Sequence, residues 1–448
     1  MAITQMAPYL PGSILERLDE ARQRTDGIFD LLPSASIYER PIPERHRLIF
    51  YLGHLEAFDW NLLAPRLGLQ SDSAELDNLF AFGIDPVDGG LPTDIPSDWP
   101  TIDHVQRYNR RVRTELDEAL RRSARVQSDP DLASGRLLNV AIEHRLMHAE
   151  TLAYLLHALA LDKKVTHAAL ASDSRPAPEP RQVQIPAGSA TLGQSRDTGA
   201  FGWDNEFEVE RVDVPAFSID AFPVTNQEYL KFVRAGGYQN QNYWSPEDWE
   251  WRQREEIAHP HFWSPRVGSS ASNAAAEWDY QGMFGTIPLP PSWPVFVSHA
   301  EAAAFAAWAG KNLPTEAQWH RAAYGAPDGS ERAYPWGDES PTQTHGNFHH
   351  GSWEPSPVDA HPAGASAFGI FDLLGNGWEW TSTQFGPLRG FEPFPFYKGY
   401  SANFFDGKHF VMKGGSHRTD ACMLRRSYRN WFQPHYPYIY ATFRCVAE

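Results

Sequence analysis

Between residues 172 and 182 the chain reads Ser-Asp-Ser-Arg-Pro-Ala-Pro-Glu-Pro-Arg-Gln, and no other stretch constrains its fold as much. Proline lacks a backbone donor and its ring clashes with the preceding helical turn, so three prolines in a short polar run cannot continue a helix. The chain differs in kind on the two sides of this break. Before it, apolar residues recur at helical spacing over 14–32, 47–67, 101–124 and 131–161. In the last of these segments Leu137, Ala141, Leu152, Leu155, Leu156 and Leu159 form a core stripe. After the break, short runs rich in Val, Phe and Trp alternate with Gly, Pro and Asp. Amphipathic helices are expected at 298–309 and 315–324, whereas 240–290 shows no clear period. A length of 448 residues also exceeds one ordinary domain. The expectation is an α+β chain: a helical bundle over 1–165, a Pro-rich linker over 166–183, and an irregular α+β domain with long loops over 184–448.

Composition narrows the functions open to such a chain. The formal net charge of −17 disfavours nucleic acid and anionic membranes, whose phosphates attract Lys and Arg. Only two cysteines occur, Cys422 and Cys445, which excludes a disulfide scaffold and a thiolate metal cage. Any metal is then held by His, Asp or Glu. No apolar run approaches ~20 residues, and the N-terminus shows no basic stretch followed by an apolar one. The expected setting is the reducing cytoplasm. Sixteen Trp, 17 Tyr and 26 Phe need large cores or aromatic-lined pockets.

His144 and His148 sit four apart in the strongest helical segment, which puts both imidazoles on one face, one turn apart. That is the geometry two metal ligands need from one helix, and Glu150 follows closely. A third candidate, His54, lies in Tyr51-Leu-Gly-His-Leu-Glu-Ala-Phe-Asp-Trp60, also helical. Facing helices of a bundle often pool ligands in this way. Three neutral imidazoles suit Fe(II), Zn or Cu and leave positions open for small molecules. With 18 histidines in the chain, one such spacing also arises by chance, as two core or solvated histidines.

Several ordered motifs carry a family resemblance. Ile185-Pro-Ala-Gly188, Phe222-Pro-Val-Thr-Asn-Gln-Glu-Tyr229, Asn312-Leu-Pro-Thr-Glu-Ala-Gln-Trp319, Tyr334-Pro-Trp-Gly337, Gly375-Asn-Gly-Trp-Glu-Trp380, Gly414-Gly-Ser416 and Phe443-Arg-Cys445 resemble the formylglycine-generating-enzyme (sulfatase-modifying-factor) fold. They identify a fold and not a chemistry. The cysteine pair of the formylglycine enzymes is missing, because the matching stretch reads Ser427-Tyr-Arg-Asn-Trp-Phe432. The N-terminal part resembles the DinB-like bundle.

The combination is similar to the non-haem iron sulfoxide synthases of ergothioneine and ovothiol biosynthesis and, most of all, to selenoneine synthase. In those families a His and a later His-x-x-x-His-x-Glu bind iron. Here they match His54 and His144-Arg-Leu-Met-His148-Ala-Glu150. The resemblance thus implies Fe(2+) on His54, His144 and His148. It implies Tyr397, in Tyr397-Lys-Gly-Tyr400-Ser, as the catalytic proton donor and Tyr400 as a substrate contact. Asn430 and Trp431 match the pair that contacts hercynine, the trimethylated histidine. A quaternary ammonium has no N–H to donate and needs an aromatic face, which Trp431, Tyr400 or Trp380 is placed to give.

Two positions depart from the pattern. Met147 stands where Gln is common beside the last ligand, and Phe432 stands where γ-glutamylcysteine-using enzymes carry an acid. A wall of Phe432, Tyr436, Tyr438 and Tyr440 suits a less charged donor, such as a selenosugar. The implied reaction is O2-dependent C–Se, or C–S, bond formation on hercynine, with a selenosugar or a thiol donor. Other readings at this stage are a sulfoxide synthase using cysteine or γ-glutamylcysteine, a zinc thiol-transferase, and a non-catalytic binding module.

Overall fold

The computed structural model describes residues 13–81, 91–165, 170–266 and 277–447, which divide after residue 168 into a helical unit and an α+β unit. In the helical unit four long helices dominate: α1 (Ile14–Phe29), α2 (Leu48–Leu67), α3 (Ile102–Arg122) and α4 (Arg136–Ala158). Helix α1 packs on α4, and α2 packs on both α3 and α4. The two inner helices, α2 and α4, are buried on nearly every side, so both read as apolar all round. Helix α3 is the opposite, with Val105, Tyr108, Val112, Leu116 and Leu120 forming one buried stripe.

Local chemistry sets the ends of these helices. Ser13 and Glu16 form a capping box on α1. Gly68, at φ +76°, closes α2 in a left-handed conformation that a side chain would strain. The expected helix over 131–161 is shorter at both ends. Gly135, at φ +73°, separates α4 from the short turn Pro130–Ala133.

One buried ion cluster fixes α2 against α4. Arg145, wholly buried, donates to both Glu56 oxygens (3.0 and 2.9 Å), to Asp59 Oδ2 (2.8 Å) and to the Leu55 carbonyl (3.0 Å). Arg113 adds bonds to Glu56 and Asp26. Burial alone would raise the Glu56 carboxyl, but Arg145 and then Arg113 outweigh it and hold it at about 2. Such a cluster has one satisfied register, and any slip leaves a buried charge unpaired.

In the second unit no helix or strand occurs over 170–181, and the first strand is β1 (Gln182–Ile185). The strands that follow are β2 (Gly188–Leu192), β3 (Glu210–Val214), β4 (Phe217–Asp220), β5 (Trp263–Pro265), β6 (Trp278–Gly282), β7 (Gly285–Pro288), β8 (Trp378–Gln384), β9 (Phe410–Lys413), β10 (Asn430–Phe432), β11 (Ala441–Thr442) and β12 (Val446–Ala447). The helices are α5 (Asn226–Arg234), α6 (Pro246–Arg254), α7 (His299–Trp308) and α8 (Glu316–Tyr324). Capping boxes start α5, α7 and α8. The largest sheet runs β10-β9-β8-β11, with β9 pairing β10 antiparallel so that Trp431 faces Val411. Behind β8, the wholly buried Glu379 accepts from Arg444 (2.6 and 2.7 Å) and from Trp319 Nε1 (2.9 Å).

The stretch 240–290, aperiodic in sequence, contains α6 and the hairpin-like strands β5–β7; residues 267–276 lie outside the described residues. Elements of three to nine residues are too short to show a period. Among the described residues no helix is long and apolar enough to cross a membrane.

Candidate metal centre and substrate surfaces

Helix α2 contributes His54 and helix α4 contributes His144 and His148, all three buried. One nitrogen from each ring lies within 4.8 Å of the other two. Three bonds of roughly 2.1 Å reach a single ion from such a set after small ring rotations. Among the described residues no other set of three His, Cys, Asp or Glu side chains comes this close, and Glu150 is not part of the group.

The environment keeps the three rings neutral and aimed. His54 Nδ1–H donates to the Phe80 carbonyl at 2.6 Å, which leaves its Nε2 lone pair for a ligand. Gly53 makes that contact possible. A Cβ there would meet three atoms of the Phe80 ring at 2.5 Å, so only a bare backbone admits Phe80 beside His54. Phe58 stacks on His144 with centroids 3.4 Å apart, and Phe50 stacks on His54 at 4.8 Å. The Nδ1 atoms of His144 and His148 are buried without a hydrogen-bond partner. Burial lowers the His54 pKa to about 4, against the pull of the Phe80 carbonyl. It drives His144 and His148 well below their usual value, with each further depressed by a neighbouring histidine. Three desolvated, deprotonated imidazoles with orphaned nitrogens fit a divalent metal and fit little else.

The remaining sequence candidates belong to the second unit. Tyr397, Tyr400 and Trp431 share one aromatic cluster: Tyr397 and Tyr400 have ring centroids 5.5 Å apart, and Tyr400 meets Trp431 edge-on at 5.4 Å. Phe385 stacks flat behind Trp431 at 4.2 Å. Asn430 Oδ1 accepts from the Trp431 backbone N–H. Phe432 leaves β10 on the opposite face, as strand alternation requires, and stacks on Tyr436 at 5.4 Å. Tyr438 continues that wall edge-on at 5.1 Å.

Two sequence candidates fall elsewhere. Trp380 is wholly buried, with Nε1–H given to the Val297 carbonyl, so it is core and no ligand face. Tyr440 is likewise buried, among Phe262, Phe296 and His417, and drops out of the wall. Ser427, in the stretch where the formylglycine enzymes carry their cysteine pair, gives its hydroxyl to Glu206 (2.7 Å).

Sequence reasoning missed the residues that support these side chains: Gly53, Phe58 and Phe80 around the histidines, and Trp203 against Tyr400. The Gly-His pair inside a helix was the one available signal, since glycine weakens a helix unless something approaches it closely.

Comparison with known proteins agrees with this division. The DinB superfamily matches residues 17–152, and the sulfatase-modifying factor enzyme 1-like domain matches residues 167–448. The chain is 43% identical over 244 residues to a hercynine oxygenase of Mycobacterium tuberculosis, covering 54% of this chain and 55% of that one. It is 35% identical over 337 residues to a hercynine oxygenase of Mycolicibacterium thermoresistibile, covering 74% and 71% respectively. To the ergothioneine biosynthesis protein 1 of Neurospora crassa it is 30% identical over 93% of its own length. It spans about half of the first and third of these relatives, at 55% and 56% of their lengths.

Proposed function

Since this chain belongs to the hercynine oxygenase family and carries that family's DinB-like and sulfatase-modifying-factor-like domains, we propose that it is an O2-dependent enzyme that joins a sulfur or selenium donor to the imidazole carbon of hercynine. The observation that carries this reading is the convergence of His54, His144 and His148, buried and neutral, from two helices locked in register. We assign these three as ligands of Fe(II) and assign 1–165 as the iron-binding domain. Ferrous iron, when bound, supplies O2 activation and oxidative coupling at the imidazole. For a thiol donor the balance is one C–H and one S–H lost, one C–S bond formed, one oxygen atom in a sulfoxide and the other released as water. A reducing cytoplasm is the compartment this reading assumes.

The protein's own part is binding and proton handling. Trp431 and Tyr400 offer aromatic faces to the trimethylammonium group, which cannot be held by an ion pair with directed N–H bonds. Phe385, stacked behind Trp431, keeps that ring in place. Asn430, beside Trp431 on β10, supplies polar contact to the same substrate. Tyr397, half-buried at the edge of the cluster, holds a phenolic proton for the reacting groups. Orienting both reactants side by side accounts for much of the rate.

Donor choice rests on Phe432. The relatives' names speak for hercynine and for ergothioneine. The Phe432–Tyr436–Tyr438 wall supports a weakly charged donor with an apolar face, and a selenosugar is of that kind. The test is anaerobic loading with Fe(II) and hercynine and a panel of cysteine, γ-glutamylcysteine and a selenosugar, followed by air and mass spectrometry. A coupled product that requires both Fe(II) and O2 supports the assignment. A product formed equally well without O2, or no product with any donor, overturns the proposal.

A further inference from the structure

The turn Trp203-Asp204-Asn205-Glu206 lies far in sequence from every residue assigned so far, yet all four of its side chains are buried. Two of them are carboxylates, which burial disfavours unless specific bonds repay the lost hydration. Those bonds lead to the two segments that carry the reacting side chains. Asp204 Oδ1 accepts from Ser401 Oγ at 2.5 Å, and the Trp203 ring packs against Phe394 with centroids 6.5 Å apart. Residues 394 and 401 bracket Tyr397 and Tyr400. The Trp203 ring stacks on Tyr400 with centroids 3.9 Å apart and meets Tyr397 edge-on at 6.4 Å. On its other side, Glu206 accepts from Arg425 Nε (2.8 Å) and Ser427 Oγ (2.7 Å), and the Asn205 carbonyl accepts from Arg429 (3.4 Å). Arg429 immediately precedes Asn430 and Trp431.

We propose that this turn is a clamp that sets the tyrosine segment against the Asn430–Trp431 strand, with Asp204 as the positioning residue for Tyr397. The inference rests on the function proposed above, because it takes Tyr397 and Trp431 as the reacting and binding side chains. Its physical basis is separate. The segment 394–401 contains no helix or strand, so its own backbone offers few internal bonds. Trp203 against Phe394 and Asp204 at Ser401 fix it at both of its ends. A carboxylate suits the second point because it is acceptor-only and makes a charge-assisted bond to the Ser401 hydroxyl. An amide at the same position offers only a neutral acceptor and gives up that charge assistance.

The experiment uses the Fe(II)-loaded full chain and the variants Asp204→Asn, Ser401→Ala and Ser401→Thr. In Asp204→Asn and Ser401→Ala, kcat should fall at least about tenfold, as displacement of a reacting group by roughly 1 Å produces. Iron content should stay within about twofold, whereas KM for hercynine should rise as well, because Tyr400 lies in the segment that loosens. Ser401→Thr keeps a hydroxyl and should retain at least about half of kcat. Hydrogen exchange gives a readout independent of turnover: amides of 394–401 should exchange at least about tenfold faster in Asp204→Asn, with α4 and β8–β10 unchanged. The clamp is overturned if kcat holds within twofold, if threonine fails to rescue, or if faster exchange spreads through the whole unit. Should the wild-type enzyme make no product from hercynine, the proposed function fails, and the exchange result alone then decides the clamp.

Discussion

Replacing Gly53 by Ala adds one methyl group, and the structure gives its consequence. The new Cβ would sit 2.5 Å from Cδ2, Cε2 and Cζ of Phe80. Ordinary contact begins at 3.4 Å, so the ring or its backbone must retreat by about 0.9 Å. The ring has little room, because Trp99 and Tyr108 pack on it with centroids 6.1 and 6.3 Å away. A backbone retreat of that size takes the His54 Nδ1 to Phe80 carbonyl contact from 2.6 Å to about 3.5 Å, the limit of a hydrogen bond. Overpacking of this kind costs about 1–3 kcal/mol in stability. Loss of the bond that orients a ligand histidine weakens metal affinity about 10–100-fold. The assay is anaerobic titration of the apoprotein with Co(II), read by its visible absorption, beside thermal unfolding. A Gly53→Ala, Phe80→Ala double variant removes the clash and keeps the carbonyl, so it should regain metal affinity although its stability falls further. If Gly53→Ala binds Co(II) within twofold of wild type, the Phe80 carbonyl does not orient His54 and the reasoning is wrong.

Three further outcomes follow from the same geometry. His148→Ala should abolish iron binding and leave the helical circular dichroism unchanged; stoichiometric iron in the purified variant would falsify the ligand assignment. Arg145→Met leaves Glu56 and Asp59 buried without their shared cation, and should destabilise the protein by about 3–5 kcal/mol in denaturant unfolding, unlike an exposed ion pair. Phe432→Asp removes the stack on Tyr436 and places a carboxylate in the wall, so use of a selenosugar donor should weaken by a few kcal/mol, on the order of two decades in kcat/KM. Hercynine binding measured by calorimetry should barely change, and an equal loss in hercynine affinity refutes the separation of the two surfaces.

Much of the architecture was legible in the sequence, for identifiable reasons. The four long helices carry enough turns for a period to emerge, and the Ser-x-x-Glu and Thr-x-x-Gln boxes mark where α7 and α8 begin. His144 and His148 announce themselves by spacing alone. His54 has no such spacing: its helical segment made it a third candidate and a family motif joined it to the pair; what brings it there is Arg145, whose partners Glu56 and Asp59 lie 89 and 86 positions away. The supports were illegible for the same reason. Phe80 matters through a carbonyl, Gly53 through an absent side chain, and Asp204 through a partner 197 positions further on. Trp380 misled because a tryptophan in a conserved-looking motif reads alike whether it lines a pocket or fills a core. Its Nε1–H bond to the Val297 carbonyl, visible only in three dimensions, settles it as core.

The short strand β10 has one further implication. Trp431 and Phe432 are covalent neighbours, held by the same antiparallel pairing to β9, and they look out on opposite sides. A mutation at 432 therefore explores new chemistry on one side without disturbing the backbone or the residues on the other. On the proposed assignment of the two faces, the two partners of the coupling reaction come under independent genetic control, one codon apart. A slip of β10 by one residue against β9 would do the reverse, exchanging the two sides at once. Under the same assignment, descendants of such a chain can change what they attach while keeping what they attach it to, by point substitution at one position.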